Sequence, residues 1–233
     1  MKISGLQKMT LLDFPGKVAC TVFLSGCNFR CPFCHNGELL DGSAEIIMDE
    51  QEFLTFLSKR KGLLDAVCVS GGEPTLQPGL GAFLEQIKAM GYLTKLDTNG
   101  SRPEVLKELV ARNLLDYVAM DIKNCPRRYE ETAGASVRLD KIEESIRFLT
   151  EERIDYEFRT TVVEQLHDGE SVNLMGEWVK SLTNGKKVKR WFVQPFADRD
   201  TVLFAGLCAP KEQQLEEFVG ILSRFSLQSN LRG

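Results

Sequence analysis

Six short apolar segments, each followed by an amphipathic one, constrain the fold of this 233-residue chain more than any other feature. The apolar segments have the length of strands buried on both faces, and the amphipathic ones carry apolar residues at helical spacing. They lie at residues 19–24, 66–70, 92–98, 117–123, 157–163 and 191–196. This alternation predicts an α/β fold with parallel strands and crossover helices. It leaves two architectures open, an open doubly wound sheet and a barrel with some units missing.

Local signals predict the ends of several helices. Asp49 followed by Glu52 is a capping-box start for the helix after the first strand. Gly91 is suited to end the next helix, because glycine adopts the left-handed conformation common after a helix. Pro103 is suited to the first turn of the helix that follows.

Composition narrows the function classes. The formal net charge is −4, so the chain lacks the basic surface of a non-specific nucleic-acid binder. No stretch of 18 apolar residues is present, so we expect no membrane span or membrane partner. The N-terminus lacks the apolar core and cleavage site of a signal peptide, and we expect a cytoplasmic protein. The length suits a single domain over residues 1–233, with a core at about 16–200 and a C-terminal helix and tail at 201–233.

Three cysteines are concentrated in the run GCNFRCPFCHN. Cys27, Cys31 and Cys34 have the spacing C-x-x-x-C-x-x-C. Three soft sulfur ligands on one loop suit an iron–sulfur cluster, and a four-iron cluster with three protein ligands leaves one iron open to a small molecule. A zinc site would normally have a second pair of ligands, and a disulfide framework belongs to secreted proteins. Zinc and ordinary buried cysteines both stay open from spacing alone.

The other four cysteines are isolated from one another in the sequence. Cys20 and Cys68 lie inside apolar segments and are expected to be small core residues. Cys125 and Cys208 have no partner motif, so a second cluster is not expected, and their roles stay open.

Polar residues recur where the predicted strands end, which is where both candidate architectures bind ligands. The second strand is followed by GGEP, whose glycines allow a ligand to approach the backbone and whose carboxylate can accept from an ammonium group. The later strands end at or carry Asp97, Asn99, Asp121, Lys123, Arg159 and Gln194. GGEP alone fits a plain strand-to-helix turn, and D-x-K alone fits a surface pair. Together they predict a polar edge of the sheet.

The cysteine loop, with Phe33 before its last cysteine, and GGEP resemble the radical S-adenosylmethionine (SAM) enzymes. Further motifs (LDFPGK, CPFCHN, DTNG, MDIK and QPF) are similar to those of glycyl radical enzyme activating enzymes, and most of all to activating proteins of anaerobic ribonucleoside-triphosphate reductase. The resemblance covers essentially the whole chain. It implies a partial (β/α)6 barrel related to the TIM barrel.

The resemblance also implies the reaction. The three cysteines of the run would hold a 4Fe–4S cluster whose fourth iron chelates the amino and carboxylate groups of S-adenosylmethionine. An electron from the cluster, supplied by a flavodoxin or ferredoxin, would cleave this cosubstrate, and the 5′-deoxyadenosyl radical would take hydrogen from a glycine of a partner protein. The cluster and cosubstrate would carry the electron chemistry, while protein groups orient and shield it.

Residue roles follow from the same resemblance. Asp13, in DFPG, would meet the glycine loop of the partner, and Lys123 would supply a positive charge to the cosubstrate's carboxylate. The implied cosubstrate contacts are Phe33, Gly71, Gly72, Glu73, Asp97, Asn99, Asp121, Lys123, Arg159 and Gln194. Whether a monovalent cation sits near Asp97 and Asp121 stays open.

One departure bears on the partner. Relatives that activate pyruvate formate-lyase carry a histidine near the end of the sixth strand, where this chain has Ala197. The alternatives are an activase of another glycyl radical enzyme, and a radical SAM enzyme acting on a small molecule such as a deazapurine precursor. An electron-transfer or metal-binding module is a third, but it would need neither GGEP nor D-x-K.

Overall fold

The computed structural model describes residues 1–151 and 153–232. The strands are β1 (Lys2–Ile3), β2 (Gly5–Thr10), β3 (Ala19–Leu24), β4 (Met48–Asp49), β5 (Ala66–Gly71), β6 (Leu93–Thr98), β7 (Tyr117–Asp121), β8 (Asp155–Val162), β9 (Val188–Pro195) and β10 (Ser226–Leu231). The helices are α1 (Glu50–Ser58), α2 (Leu80–Ala89), α3 (Pro103–Ala111), α4 (Tyr129–Ala133), α5 (Leu139–Thr150), α6 (Gly169–Leu182) and α7 (Glu212–Leu222). Single 3₁₀ turns lie at Gly37–Leu39, Pro74–Leu76 and Pro126–Arg128.

The predicted strands correspond to β3, β5, β6, β7, β8 and β9, each with a helix after it. Strand β7 is shorter than predicted and ends at Asp121, so Lys123 lies beyond it. The start of α1 has the predicted capping box, in which Asp49 accepts from the Glu52 backbone and its own N–H donates to the Glu52 carboxylate. Gly91 follows α2 with φ +89°, as the left-handed end of a helix requires.

The chain divides into two compact units. The first comprises Met1–Asn28, Glu38–Thr98 and Glu104–Ala119, and the second comprises Phe29–Gly37, Asn99–Pro103 and the chain from Met120 onward. The expectation of one domain over residues 1–233 stays a prediction, and its last residue, Gly233, lies outside the described residues.

In the first unit, β3, β5 and β6 pair in parallel, and β2 pairs antiparallel along β3. The register aligns Thr21 with Cys68 and Cys68 with Lys95, so these three side chains lie in one row on one face. The apolar cluster on that face consists of Phe14, Ala19, Ala66, Cys68, Tyr117 and Leu93. A charged residue therefore lies in the row directly beside the core.

In the second unit, β8, β9 and β10 pair in parallel. Strand β10 lies in the predicted C-terminal tail. It is held by Arg232, whose guanidinium pairs with the fully buried Glu157 and lies 3.9 Å from the centre of the Phe192 ring. Within the described residues, no helix is both long and apolar enough to cross a membrane.

Candidate active site

The GGEP turn of the first unit is bonded to the backbone that leads into the cysteine loop. The N–H of Gly72 donates to the carbonyl of Leu24 (2.8 Å), and the N–H of Glu73 donates to that of Gly26 (2.8 Å). A Cβ on Gly71 would overlap the Leu24 backbone, and one on Gly72 would overlap the Gly26 carbonyl. Gly71 also has φ +115°, which side-chain-bearing residues rarely adopt. Both glycines are therefore required for close packing of the two strand ends.

Glu73 is a buried carboxylate held in one orientation. Its side chain is 1% exposed. One oxygen, Oε1, accepts from the Thr75 backbone N–H (3.1 Å), from the Thr75 hydroxyl and from the Thr98 hydroxyl (2.8 Å). Because these donors lie on the turn itself and on the end of β6, the carboxylate is fixed between neighbouring strand ends.

Asp97 is also fixed by two neighbouring strands. Its Oδ1 is paired with the ammonium of Lys95, on β6, and its Oδ2 accepts from the hydroxyl of Ser70, on β5 (3.0 Å). Lys95 was not among the predicted site residues, although its spacing from Asp97 is the D-x-K spacing in reverse. Residues two apart on a strand lie on the same face, so this spacing could have identified Lys95 from the sequence.

Asp13 is anchored to the first unit by β3. The hydroxyl of Thr21 donates to its carboxylate (2.5 Å), and its own N–H donates to the hydroxyl of Thr10 (3.4 Å). Burial raises the pKa of the Cys68 thiol; Lys95 opposes this rise, whereas Asp97 and Asp13 add to it. Asp13 and Asp97, both predicted from the sequence, thus both act on the buried thiol of Cys68, and Asp97 is also paired with the buried Lys95.

In the second unit, Asp121 has two cationic partners. Its Oδ2 accepts from the ammonium of Lys123 (2.9 Å), and its Oδ1 accepts from Nε of Arg159 (3.0 Å). Both cations are 14% exposed, against 27% for the carboxylate. Burial alone would lower the pKa of Lys123, but the Asp121 carboxylate and Cys31 outweigh it and raise the pKa above its usual value. The ammonium therefore stays charged.

Two of the predicted cluster ligands lie in the same unit. The N–H of Cys34 donates to the carbonyl of Cys31 (3.0 Å), which closes a turn between them. Burial raises the pKa of both thiols above its usual value, and the charge of Lys123 offsets only part of this rise. Soft sulfur donors beside a fixed cation suit an anionic iron–sulfur cluster.

The third predicted ligand, Cys27, is half-buried in the first unit, and its N–H donates to the carbonyl of Leu40 (3.0 Å). No group of three or more His, Cys, Asp or Glu side chains among residues 1–151 and 153–232 is arranged to hold a metal ion. The assignment of the three cysteines as cluster ligands stays a prediction.

Tyr129 is a buried hydrogen-bond donor of the second unit that interacts electrostatically with Cys31. Tyr129 is fully buried, and its hydroxyl has no hydrogen-bond partner among the described residues. Burial raises its pKa, so it keeps its proton and remains a donor. Its helix, α4, is joined to the cysteine loop, because the N–H of Arg30 donates to the carbonyl of Ala133 (2.8 Å). No pattern in the sequence indicated this residue.

The remaining predicted contacts, Phe33, Asn99 and Gln194, also lie in the second unit. Phe33 is buried, the Asn99 side chain accepts from the Ser101 N–H (3.0 Å), and Gln194 is half-buried near the end of β9. At that end, the N–H of Ala197 donates to Nε2 of His35 (3.4 Å). The structure brings Asp121, Lys123 and Arg159 together through the two ion pairs of Asp121. The cosubstrate roles of Phe33, Asn99 and Gln194 stay predictions.

Known proteins match most of the chain. Residues 21–176 match the radical SAM superfamily. A Methanocaldococcus jannaschii protein described as a glycyl-radical enzyme activating enzyme is 32% identical over 238 residues, covering 96% of this chain and 92% of that protein. The pyruvate formate-lyase 1-activating enzyme of Escherichia coli K12 is 25% identical and covers 96% of each chain.

A solved structure shares the fold. A domain of pyruvate-formate lyase-activating enzyme from Bacteroides vulgatus superposes with a TM-score of 0.58 at 22% identity, covering 72% of this chain and 99% of that one. Together with the superfamily match, this superposition confirms the predicted α/β fold of the radical SAM type.

Proposed function

The chain belongs to the radical SAM superfamily as a glycyl radical enzyme activating enzyme, and we propose that the protein it activates is an anaerobic ribonucleoside-triphosphate reductase. The family uses a 4Fe–4S cluster and S-adenosylmethionine. Ala197 supports this partner, because it stands where pyruvate formate-lyase activators carry a histidine. The motifs LDFPGK, CPFCHN, DTNG, MDIK and QPF support it as well.

The cluster would be held by Cys27, Cys31 and Cys34. When bound, the cluster and S-adenosylmethionine supply the one-electron chemistry that removes a hydrogen atom from a glycine of the partner. A flavodoxin or ferredoxin supplies the electron. The protein contributes binding, orientation and shielding to this chemistry.

The charges of the polar groups in each unit support the proposed binding of S-adenosylmethionine. Asp121 is paired with both Lys123 and Arg159, so this group has one surplus positive charge, which suits the cosubstrate's carboxylate. In the first unit, the fixed carboxylates of Glu73 and Asp97 suit its ammonium group. Fixed charges bind without reorganisation, so they orient the cosubstrate before the electron arrives.

Asp13 would contact the glycine loop of the partner protein. The residues just before it, Leu11 and Leu12, are 69% and 70% exposed, and Met9 is 65% exposed. Contiguous exposed apolar side chains mark protein contact surfaces. This short apolar surface beside a fixed carboxylate suits a protein partner better than a small molecule.

Anaerobic reconstitution followed by electron paramagnetic resonance tests the proposal. Reduced protein with S-adenosylmethionine should produce a glycyl radical signal when mixed with an anaerobic ribonucleotide reductase, and much less with pyruvate formate-lyase. Asp13→Ala should reduce the radical yield about tenfold while leaving cleavage without partner unchanged, because the lost contact is to the partner.

Three results would count against the proposal, each at a different level. A signal with pyruvate formate-lyase alone would reassign the partner. Full cluster content in Cys31→Ala would remove the ligand assignment. Absence of 5′-deoxyadenosine from reduced wild-type protein would remove the activity itself.

A further inference from the structure

Lys95 is a buried cation of the first unit, on the face of the sheet that carries the apolar cluster. Its side chain is 1% exposed, and it lies in the row of Thr21 and Cys68, directly beside the apolar cluster. Taking an ammonium group out of water is strongly unfavourable unless an anion compensates it. Its compensating partner is the carboxylate of Asp97, two residues further along β6.

The contacts of this pair hold the carboxylate in one orientation. Lys95 occupies Oδ1 of Asp97, and the hydroxyl of Ser70 occupies Oδ2 from the neighbouring strand (3.0 Å). Asp97 is 15% exposed, whereas Lys95 is almost completely enclosed. A ligand can therefore reach the pair only from the carboxylate side, with the ammonium behind it.

A second lysine–aspartate pair of the first unit, between α2 and the residue before β7, shows how the Lys95 pair differs. Lys88 pairs with Asp116 at 2.8 Å, but both of its side chains are 27% exposed. Water can solvate that pair if one partner is removed. Lys95 is 1% exposed, so removing it would take away the buried charge compensation of Asp97 and one of the two contacts that orient its carboxylate.

We propose that Lys95 is a positioning residue, a built-in counter-cation that fixes the orientation and charge of Asp97 so that this carboxylate can bind the ammonium group of the cosubstrate. The inference rests on the proposed function, in which Asp97 contacts that group. Lys95 itself does not touch the cosubstrate.

Chemical rescue tests this role. Lys95→Ala removes the ammonium and leaves space that a small cation can enter, whereas Lys95→Met fills that space with an uncharged chain. Reductive cleavage of S-adenosylmethionine by the reconstituted holoenzyme is measured at constant ionic strength, with and without ammonium or ethylammonium chloride. Lys88→Ala is the matched control for loss of a lysine ion pair.

We expect kcat to fall about 10- to 100-fold in Lys95→Ala and in Lys95→Met, as for loss of one partner of a desolvated charge pair. Added ammonium ions should raise the kcat of Lys95→Ala at least about fivefold, because a mobile cation replaces the lost charge. They should not raise the kcat of Lys95→Met. Wild type and Lys88→Ala should not respond.

The double variant Lys95→Met, Asp97→Asn keeps the test valid if the single variants fold poorly, since it leaves no uncompensated charge. In the Asp97→Asn background, Lys95→Met should lower kcat by less than about twofold, because a positioning residue acts through its partner. A further loss of tenfold or more there would overturn the proposal, as would a Lys95→Ala enzyme within twofold of wild type or one that ammonium ions fail to rescue.

If wild type itself produces no 5′-deoxyadenosine, the proposed function fails first and this inference fails with it. If wild type is active, the experiment tests the role of Lys95 alone.

Discussion

The two units each fix one aspartate near the end of a strand, but they do so with different charges. In the first unit, Asp97 is bound by one ammonium and one hydroxyl. In the second unit, Asp121 is bound by an ammonium and a guanidinium. The cation of the first is 1% exposed, and those of the second are each 14% exposed.

The difference gives the two groups opposite charge preferences. The Asp97 pair is neutral overall and presents a carboxylate, so it suits an ammonium group. The Asp121 group has an excess of one positive charge, so it suits a carboxylate. The experiments below test this asymmetry, from the largest expected effect to the smallest.

Lys123→Met should have the largest effect, although Asp121 would keep Arg159. Burial raises the pKa of Cys31 and Cys34, and the charge of Lys123 partly offsets this rise, so its loss also changes the electrostatics of the cysteine loop. We expect cleavage of S-adenosylmethionine to fall by about two to three orders of magnitude. The rate is measured as 5′-deoxyadenosine formed per reconstituted cluster.

The matched control is Lys189→Met, which removes a more exposed lysine of the same unit, paired with Asp155 at 3.4 Å. Exposed pairs contribute little, so its rate should stay within about twofold of wild type. Equal losses in the two variants would show that the Lys123 effect is not specific to the site.

Acid should destabilise the second unit through a buried histidine that the first unit does not contain. His167 is 2% exposed; its Nδ1 accepts from the Val163 N–H (3.1 Å), and its Nε2 donates to the carbonyl of Lys123 (2.9 Å). Burial lowers its pKa from 6.5 to about 4. Because the folded state then binds a proton less readily than the unfolded state, stability should decrease as the pH falls from about 6.5 to about 4.

The expected loss of unfolding free energy is about 3 kcal/mol, measured by urea denaturation across this pH range. His167→Gln, which retains a donor and an acceptor but does not titrate, should flatten the curve. An unchanged pH dependence in that variant would assign the acid sensitivity to other groups.

Of the three substitutions Lys123→Met, His167→Gln and Arg159→Met, the last should have the smallest effect. Asp121 keeps its ion pair with Lys123 in that variant. We expect about a tenfold increase in the KM for S-adenosylmethionine with a smaller change in kcat. A loss as large as that of Lys123→Met would mean that the two cations of this group contribute equally, which would contradict the predicted order.

Much of the fold could be predicted because its signals are local. Short apolar strands, helical periodicity and the Asp49 capping box identify the repeating strand–helix units correctly. The missed strands are those with weak patterns. β10 exposes Leu227 and Gln228, and three of the six residues of β2 are exposed, so neither shows the apolar run of a buried strand.

The candidate site was predicted more completely on strands than elsewhere. Asp97, Asp121 and Arg159 were singled out because they lie at the ends of or within predicted strands, and their cosubstrate roles stay predictions. Lys95 was missed although its two-residue spacing from Asp97 places both on one face of a strand, because a lysine within an apolar segment does not show by itself that it is buried against an anion. Tyr129 was missed because burial of its hydroxyl depends on how α4 packs near the cysteine loop.

The sequence by itself determined which chemical groups the chain carries at its strand ends, because strand period and strand–helix order depend on near neighbours. Only the tertiary structure decided which of these groups meet. Thr98 donates to Glu73 across 25 residues of chain, and Arg159 donates to Asp121 across 38. Such pairings depend on strand register, which is set by packing of the whole unit rather than by any local pattern.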